Sequence, residues 1–304
     1  MSLTVSRSSG SLAADRRFAW GAAAAAEGDH AAAAGLFAQT LEIAPAFAAA
    51  AFAMGTARAA LADRAGAGQA FELALALDPA DEQGAALHLA RLGLRETPQT
   101  APQAWVRELF DAYAPGFDAH LSGALQYRAP KVLAELVGQV TQRRFGTALD
   151  LGCGTGLSGE AFRARCDHLS GVDLSPRMIE CARRKNIYDR LVVVDIDAFL
   201  ASHAPASASL ILAADVFVYL GNLAPVLHHA AAVLEPQGLL AFTLQKGEQP
   251  FSLGEDLRYA HNLACITGLA HASGLTIQQS REVSTRQDKG ADVPGFGIVL
   301  AKPA

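Results

Sequence analysis

From Phe145 onward, short apolar runs alternate with helical patterns, and that alternation restricts the fold more than any other feature of the chain. "GTALDLG" reads as a strand and "LSGEAFRARC" as a helix. "HLSGVDLS" is a second strand, followed by the helix "PRMIECARRK", whose Pro176 sits at the first position, where a missing N–H costs nothing. "RLVVVDID" is a third strand and "ASLILAADVFVYL" contains a fourth. The helix "NLAPVLHHAAAVLEPQG" then leads to "LLAFTLQ", a fifth strand. A helix near "LRYAHNLACITGLAHASG" precedes two last strands in "TIQQSREVST" and "FGIVLAKP". Such alternation predicts an α/β fold with a largely parallel sheet covered on both faces. Ligands of these sheets bind beyond the carboxyl ends of the strands.

The first hundred residues are rich in alanine but not of low complexity. An offset of 34 pairs Gly21 with Gly55, Asp29 with Asp63, Ala33 with Ala67, Phe37 with Phe71, Leu41 with Leu75 and Pro45 with Pro79. That period belongs to repeated helix–turn–helix units. Small residues let paired helices approach, Phe37 and Phe71 fill the groove between them, and Pro45 and Pro79 stop each second helix. Two repeats fit, about 14–47 and 48–81, and "DEQGAALHLARLG" reads as a terminal capping helix. These positions resemble the tetratricopeptide repeat, which presents a concave surface to peptides or proteins. Packing on the second domain or self-association is the alternative use. "ETPQTAP" (96–102) reads as a linker, so the expected division is 1–95 for the helical repeats and cap, and 103–304 for the α/β domain.

With 304 residues, two domains are expected. Hydrophobic residues make up 51% and charged residues 18%, which excludes wholesale disorder. The net charge of -5 gives no footprint for non-specific nucleic-acid binding. The four cysteines lie apart without a CxxC pair, so neither a metal site nor a disulfide framework is expected. "WGAAAAAEGDHAAAAG" is broken by Glu27, Asp29 and His30, against a signal peptide or membrane span. The expected location is the cytoplasm.

"ALDLGCGTGLSG" (148–159) follows the first strand of the α/β region and opens two nucleotide readings. Gly154-x-Gly156-x-x-Gly159 is the dinucleotide fingerprint, with Asp173 about the right distance downstream to hold a ribose. The same stretch also reads Gly152-x-Gly154-x-Gly156. Asp150, two residues earlier, suits a bound ammonium and would repel a pyrophosphate.

Taken together, residues 103–304 resemble a class I S-adenosylmethionine-dependent methyltransferase, with a seven-stranded Rossmann-like sheet. "LDLGCGTG" resembles its first motif, "GVDLSPRMIECAR" its second, "VVDIDAF" its adenine-binding stretch, "LILAADVFVYLGNL" its fourth strand and loop, and "VLEPQGLLAFTLQ" its late helix, turn and fifth strand. The resemblance implies cofactor contacts from Asp150, Gly152, Cys153, Gly154, Gly156, Asp173, Leu174, Met178, Ala214 and Asp215. It gives Asp173 the ribose hydroxyls, brings Asp195 or Asp197 to the adenine amine and lays Ile196 over the ring. The joined architecture also resembles a bacterial family of repeat-containing methyltransferases, with "LFDAYAPGFDAHLSGALQYRAPKVL" as its lead-in.

The loop Ala214-Asp215-Val216-Phe217 is not the Asn/Asp-Pro-Pro-Tyr box that clamps planar amide or adenine nitrogens, so a small-molecule or protein side-chain acceptor is expected. Tyr113 and Phe117 are candidates for a lid, with ordinary aromatic packing as the alternative. Tyr127 and Arg128 are candidates for the cofactor carboxylate or a neighbouring phenyl face, with a solvated surface charge as the alternative for Arg128, and Phe217, Arg258 and Tyr259 are candidates for the acceptor pocket. His261 is the candidate base, because histidine titrates near neutral pH; a plain helix-surface histidine is the alternative. Two other functions stay open: a domain that binds S-adenosylmethionine without transfer, as an adaptor or sensor, and an NAD-dependent oxidoreductase.

Overall fold

The structure, a computed structural model, describes residues 8–118, 127–288 and 290–304. The chain forms two compact units, Met1–Val106 and Arg107–Ala304. Residues 119–126 of the lead-in quoted above lie outside the described residues.

The first unit holds α1 (Leu12–Ala26), α2 (His30–Ile43), α3 (Ala48–Ala60), α4 (Arg64–Leu77) and α5 (Ala85–Arg91). Alanine is the best helix former and leaves thin helix faces that pack closely. The 34-residue offset reappears as geometry. Asp29 caps α2 by accepting from Ala32 N–H at 2.9 Å, and Asp63 caps α4 by accepting from Gly66 N–H at 2.9 Å. A Cβ on Gly21 would lie 2.7 Å from the Phe37 ring, and one on Gly55 would lie 2.7 Å from the Phe71 ring. Phe18 meets Phe37, and Phe52 meets Phe71, at the same 5.4 Å between ring centroids. In α5, Leu87 and Leu89 are buried and His88 stacks on Phe71 at 4.9 Å. Burial pushes the His88 imidazole down to about 4, so it packs as a neutral ring.

A sixth helix, α6 (Gln103–Tyr113), spans the boundary between the units. The second unit is built on one sheet. Its strands are β1 (Phe145–Leu151), β2 (Cys166–Asp173), β3 (Arg190–Val193), β4 (Ala208–Ala213), β5 (Leu234–Lys246), β6 (Phe251–Leu253), β7 (Tyr259–His261), β8 (Thr276–Asp288) and β9 (Ala291–Ala301). The order β3-β2-β1-β4-β5 is parallel throughout. β9 runs antiparallel to β5, and β8 antiparallel to β9. These seven strands are the expected sheet. The helices between them are α7 (Ala129–Val140), α8 (Leu157–Phe162), α9 (Pro176–Lys185), α10 (Ile196–Ala201), α11 (Ala224–Val233) and α12 (Leu263–Ala272).

Side chains alternate across the sheet into two cores. Leu149, Leu151, Ile211, Leu240 and Phe242 pack with Val226 and Leu227 of α11. Ala148, Leu210, Leu212, Leu239 and Ala241 pack on the other face with Leu133 and Leu136 of α7 and with Phe162.

One expectation is corrected. The stretch from Leu257 to Gly274 is not one helix. Tyr259–His261 form β7, which runs parallel to the end of β5 (Gln245 beside Ala260) and antiparallel to β6. The helix starts only at Leu263, where the Asn262 side chain accepts from Ala264 N–H at 2.9 Å. The cap sets the boundary, and the three residues before it are buried as strand.

Both tryptophans, Trp20 and Trp105, lie in the first unit, so their fluorescence follows its unfolding. Phe71→Ala empties the groove at Gly55 and costs about 3–5 kcal/mol. The tryptophan-detected urea midpoint falls accordingly; an unchanged midpoint contradicts the role given to the Phe71–Gly55 contact.

Candidate functional site

β1 lies between β2 and β4, so the chain crosses to opposite sides of the sheet from this point and leaves a crevice beyond the carboxyl ends of β1 and β4. The glycine turn sits there. The sequence expects a ligand to press on all three alternating glycines, and the structure divides them. A Cβ on Gly152 would strike Val216 at 2.5 Å, and one on Gly156 would meet Tyr188 at 3.1 Å. These two make room for protein. A Cβ on Gly154 would meet Phe117 at 3.8 Å, an ordinary contact. Gly154, at φ +53°, is thus the residue whose backbone is bare.

Gly159 completes the dinucleotide fingerprint, but its space is taken as well. A Cβ there would lie 2.5 Å from the Tyr188 hydroxyl and ring. That hydroxyl donates to Asp150 Oδ2 at 2.6 Å. Asp150 is 1% exposed, and among the described residues no donor reaches its Oδ1. Burial raises its carboxyl to about 7, with the charge of Asp173 adding to the rise and the Tyr188 hydrogen bond opposing it.

Asp173, at the end of β2, fastens the turn. Its Oδ2 accepts from Gly154 N–H at 2.9 Å and its Oδ1 from Ser175 N–H at 2.8 Å. Burial lifts its carboxyl to about 6, against the pull of these backbone donors. Ser175 then caps α9 by accepting from Met178 N–H at 3.0 Å. Met178 is buried and Leu174 half-buried. Cys153 donates its N–H to Val172 O at 2.9 Å, and burial pushes its thiol well up, so it is held as an inert small residue.

Beyond β3, Asp195 caps α10 by accepting from Ala198 N–H at 2.9 Å. Asp197 turns to α11, where it meets His229 Nδ1 at 3.1 Å. Ile196 is half-buried against the core. Of the two acids, Asp195 is the one left at the strand end.

The segment 107–118 joins the glycine turn and the start of α9. Asp111 accepts from the Ser175 hydroxyl and from Arg177 N–H. Asp118 accepts from the Thr155 hydroxyl and pairs with Lys185 at 3.0 Å. Tyr113 packs on Phe117 at 5.0 Å, and Phe110 packs on Tyr219 at 5.5 Å. Tyr127 and Arg128 part company. Tyr127 donates to Ala214 O at 3.3 Å, inside the site. The guanidinium of Arg128 lies half-exposed 3.8 Å from Asp292, the position of the surface-charge alternative.

A second group of charges gathers past β4 and β5. Asp215, in the left-handed region at φ +60°, donates its N–H to the Thr243 hydroxyl at 2.8 Å. Its carboxylate lies 3.4 Å from Arg258 and 3.9 Å from Arg286. Arg286 pairs with Asp256 at 3.0 Å. Three candidates fall elsewhere. Phe217 and Tyr259 are wholly buried: Phe217 packs on Phe242 at 5.1 Å, and Tyr259 lies 6.0 Å from Phe251. They serve the core and not a pocket wall. His261 sits in β7, not on a helix surface; it is 1% exposed, with Nε2 at 3.0 Å from Gly221 O. Burial lowers its pKa, so it stands as a neutral core histidine rather than a base open to an acceptor.

Tyr188, Asp111, Asp118, Tyr219 and Arg286 were not among the sequence candidates. Their residue types are ordinary in their stretches, and the contacts that give them roles span 37 to 66 positions of chain for Thr155–Asp118, Asp150–Tyr188 and Arg177–Asp111.

Residues 149–242 match the family model described as "Methyltransferase domain". That stretch lies within the second unit. A malonyl-[acyl-carrier protein] O-methyltransferase of Enterobacter lignolyticus is 32% identical over 139 residues, 45% of this chain and 52% of that protein. A trans-aconitate 2-methyltransferase of Rhizobium leguminosarum is 30% identical over 136 residues, 44% of this chain and 50% of that protein. The chain thus spans about half the length of these curated relatives. The Burkholderia thailandensis 1,6-didemethyltoxoflavin-N1-methyltransferase, solved with S-adenosylhomocysteine, shares the fold with a TM-score of 0.53 at 17% identity, over 69% of this chain and 94% of that one. Among the described residues no helix is long and apolar enough to cross a membrane.

The buried acids of this domain carry a pH signature. The Asp150 carboxyl titrates near 7 in the folded protein and near its ordinary 3.8 when unfolded. Its protonated form is therefore favoured by folding, and stability falls as pH rises between those values. The ionised form costs at most roughly 4 kcal/mol. Asp150→Asn raises the thermal unfolding midpoint at pH 8 and has a much smaller effect at pH 4, as followed by circular dichroism. An equal effect at both pH values contradicts the assignment.

Proposed function

We propose that the protein transfers a methyl group from S-adenosylmethionine to a small organic acceptor. When bound, S-adenosylmethionine supplies an electrophilic methyl group on its sulfonium. The residues present fit such a group. Asp150 keeps a buried oxygen without a donor, a cost that an incoming ammonium or N–H group would relieve. Gly154 bares its backbone beside the Asp173 carboxylate, which retains lone pairs for ribose hydroxyls. Asp195 stands at the neighbouring strand end for the base, and Phe117 lies over Gly154 to exclude water. Tyr188 occupies the space at Gly159 that a dinucleotide turn keeps for close helix packing, and Asp150 would repel a pyrophosphate, so NAD fits poorly.

The observation that carries this reading is the set Asp150, Gly154 and Asp173 at the ends of β1 and β2, inside the matched residues 149–242. The chain's part in the reaction is to hold and align the acceptor, which alone supplies several orders of magnitude in rate. The relatives named for malonyl and trans-aconitate substrates support an acceptor of metabolite size. The 34-residue equivalences support reading the first unit as tetratricopeptide-type repeats.

Calorimetric titration with S-adenosylmethionine, S-adenosylhomocysteine and NAD tests the proposal. The first two bind with roughly micromolar dissociation constants. Asp173→Ala loses charge-assisted hydrogen bonds and the tether on Gly154, weakening both by about tenfold or more, while circular dichroism confirms that the variant is folded. Binding of NAD in their place, or full affinity in the variant, overturns it.

A further inference from the structure

Beyond the glycine turn, the charges at Asp215 form a separate device. Four segments supply it: the β4 loop, the end of β5 at Gln245, the β6–β7 turn with Asp256 and Arg258, and β8 with Arg286. The two arginines are held differently. Arg286 is 5% exposed, pairs with Asp256 at 3.0 Å and reaches Gln245 Oε1 at 3.4 Å. It is a satisfied brace. Arg258 meets Asp215 at 3.4 Å, longer than the ~2.8 Å of a close charge-assisted bond. No described carboxylate takes its planar edge in the paired geometry that a guanidinium offers. It also shares a side-chain hydrogen bond with Tyr219, whose ring centroid lies 5.7 Å from the guanidinium; this support fixes the orientation of the fork.

The surroundings favour an anion over a cation. An ammonium at this place would face two guanidiniums, and Asp215 is already shared between them. Of the two guanidiniums, Arg286 has the closer ion pair, 3.0 Å to Asp256 against 3.4 Å from Arg258 to Asp215. The backbone of Asp215 is held in the left-handed region by Thr243, the kind of local strain that is kept where geometry matters. His261, the histidine nearest in sequence, is turned into the core, so the site is equipped for anion recognition and not for proton abstraction by an imidazole.

We propose that Arg258 holds a carboxylate of the methyl acceptor, supported on Tyr219 and positioned by the Asp215–Arg286–Asp256 brace, so that the acceptor is a small carboxylic acid. The inference rests on the reading of the domain as a methyltransferase. Arg258 acts here in binding, and Arg286 is a positioning residue.

The test uses the full chain saturated with S-adenosylhomocysteine, titrated calorimetrically with malonate and glutarate, with malonamide and glutaramide, and with the diamine cadaverine. At least one of the two acids binds, and the amides and the diamine do not. Arg258→Gln weakens the bound acid by about tenfold or more, and Arg258→Lys, which keeps charge but loses the fork, falls between. Both variants keep wild-type affinity for S-adenosylhomocysteine, which shows that they are folded and that the cofactor site is intact. Binding of cadaverine, of neither acid, or of an acid equally well by Arg258→Gln overturns the proposal. Failure of S-adenosylhomocysteine to bind wild type is a distinct result; it removes the methyltransferase reading and this inference with it.

Discussion

The carboxylate of Asp173 is the junction on which the site depends. It ends β2, receives Gly154 N–H on one oxygen and Ser175 N–H on the other, and so ties the turn after β1 to the start of α9. A buried carboxylate is costly unless hydrogen-bonded. Here the donors are backbone groups of the two elements it must align. The same bonds that make its burial tolerable give the glycine turn its shape.

Asp150 shows the opposite balance. It is as deeply buried, yet Tyr188 satisfies one oxygen and leaves the other without a donor among the described residues. Tyr188 also fills the space left by Gly156, Gly159 and Gly171. Its ring closes the helix face of the turn, and its hydroxyl holds the acid in place. The remaining polar deficit therefore lies at the end of β1, and Gly154 is the glycine of the following turn whose backbone is bare. The unmet acid and the open backbone both come from one packing arrangement.

Much of this was legible in the chain itself. The alternation from Phe145 predicted the sheet, because parallel strands buried on both faces must read as apolar runs between helices. The offset of 34 predicted two like helix pairs, and Gly21–Phe37 and Gly55–Phe71 have the same contact. What stayed hidden depends on partners distant in sequence. Tyr188 gains its role from Asp150, and Arg286 from Asp256 and Asp215. β7 lies in "LRYAHNLACITGLAHASG", a stretch the sequence expects as helix; the Asn262 cap and pairing with β5 decide otherwise. Phe217, Tyr259 and His261 drew notice as chemistry-bearing types near the strand ends, yet burial makes them core.

The two halves of the site have distinct physical characters. The turn after β1 combines bare backbone with acids, suited to hydroxyls and an ammonium. The cluster past β4 and β5 is built from guanidiniums braced by acids. Segment 107–118 bonds to the first through Asp111 and Asp118 and packs on the second through Phe110 and Tyr219. A crystal structure of the full chain with S-adenosylhomocysteine tests this arrangement most directly. The ribose hydroxyls are expected on Asp173, with the amino-acid portion lying along the backbone at Gly154. Density for the ligand elsewhere, or a ribose held away from Asp173, would contradict it.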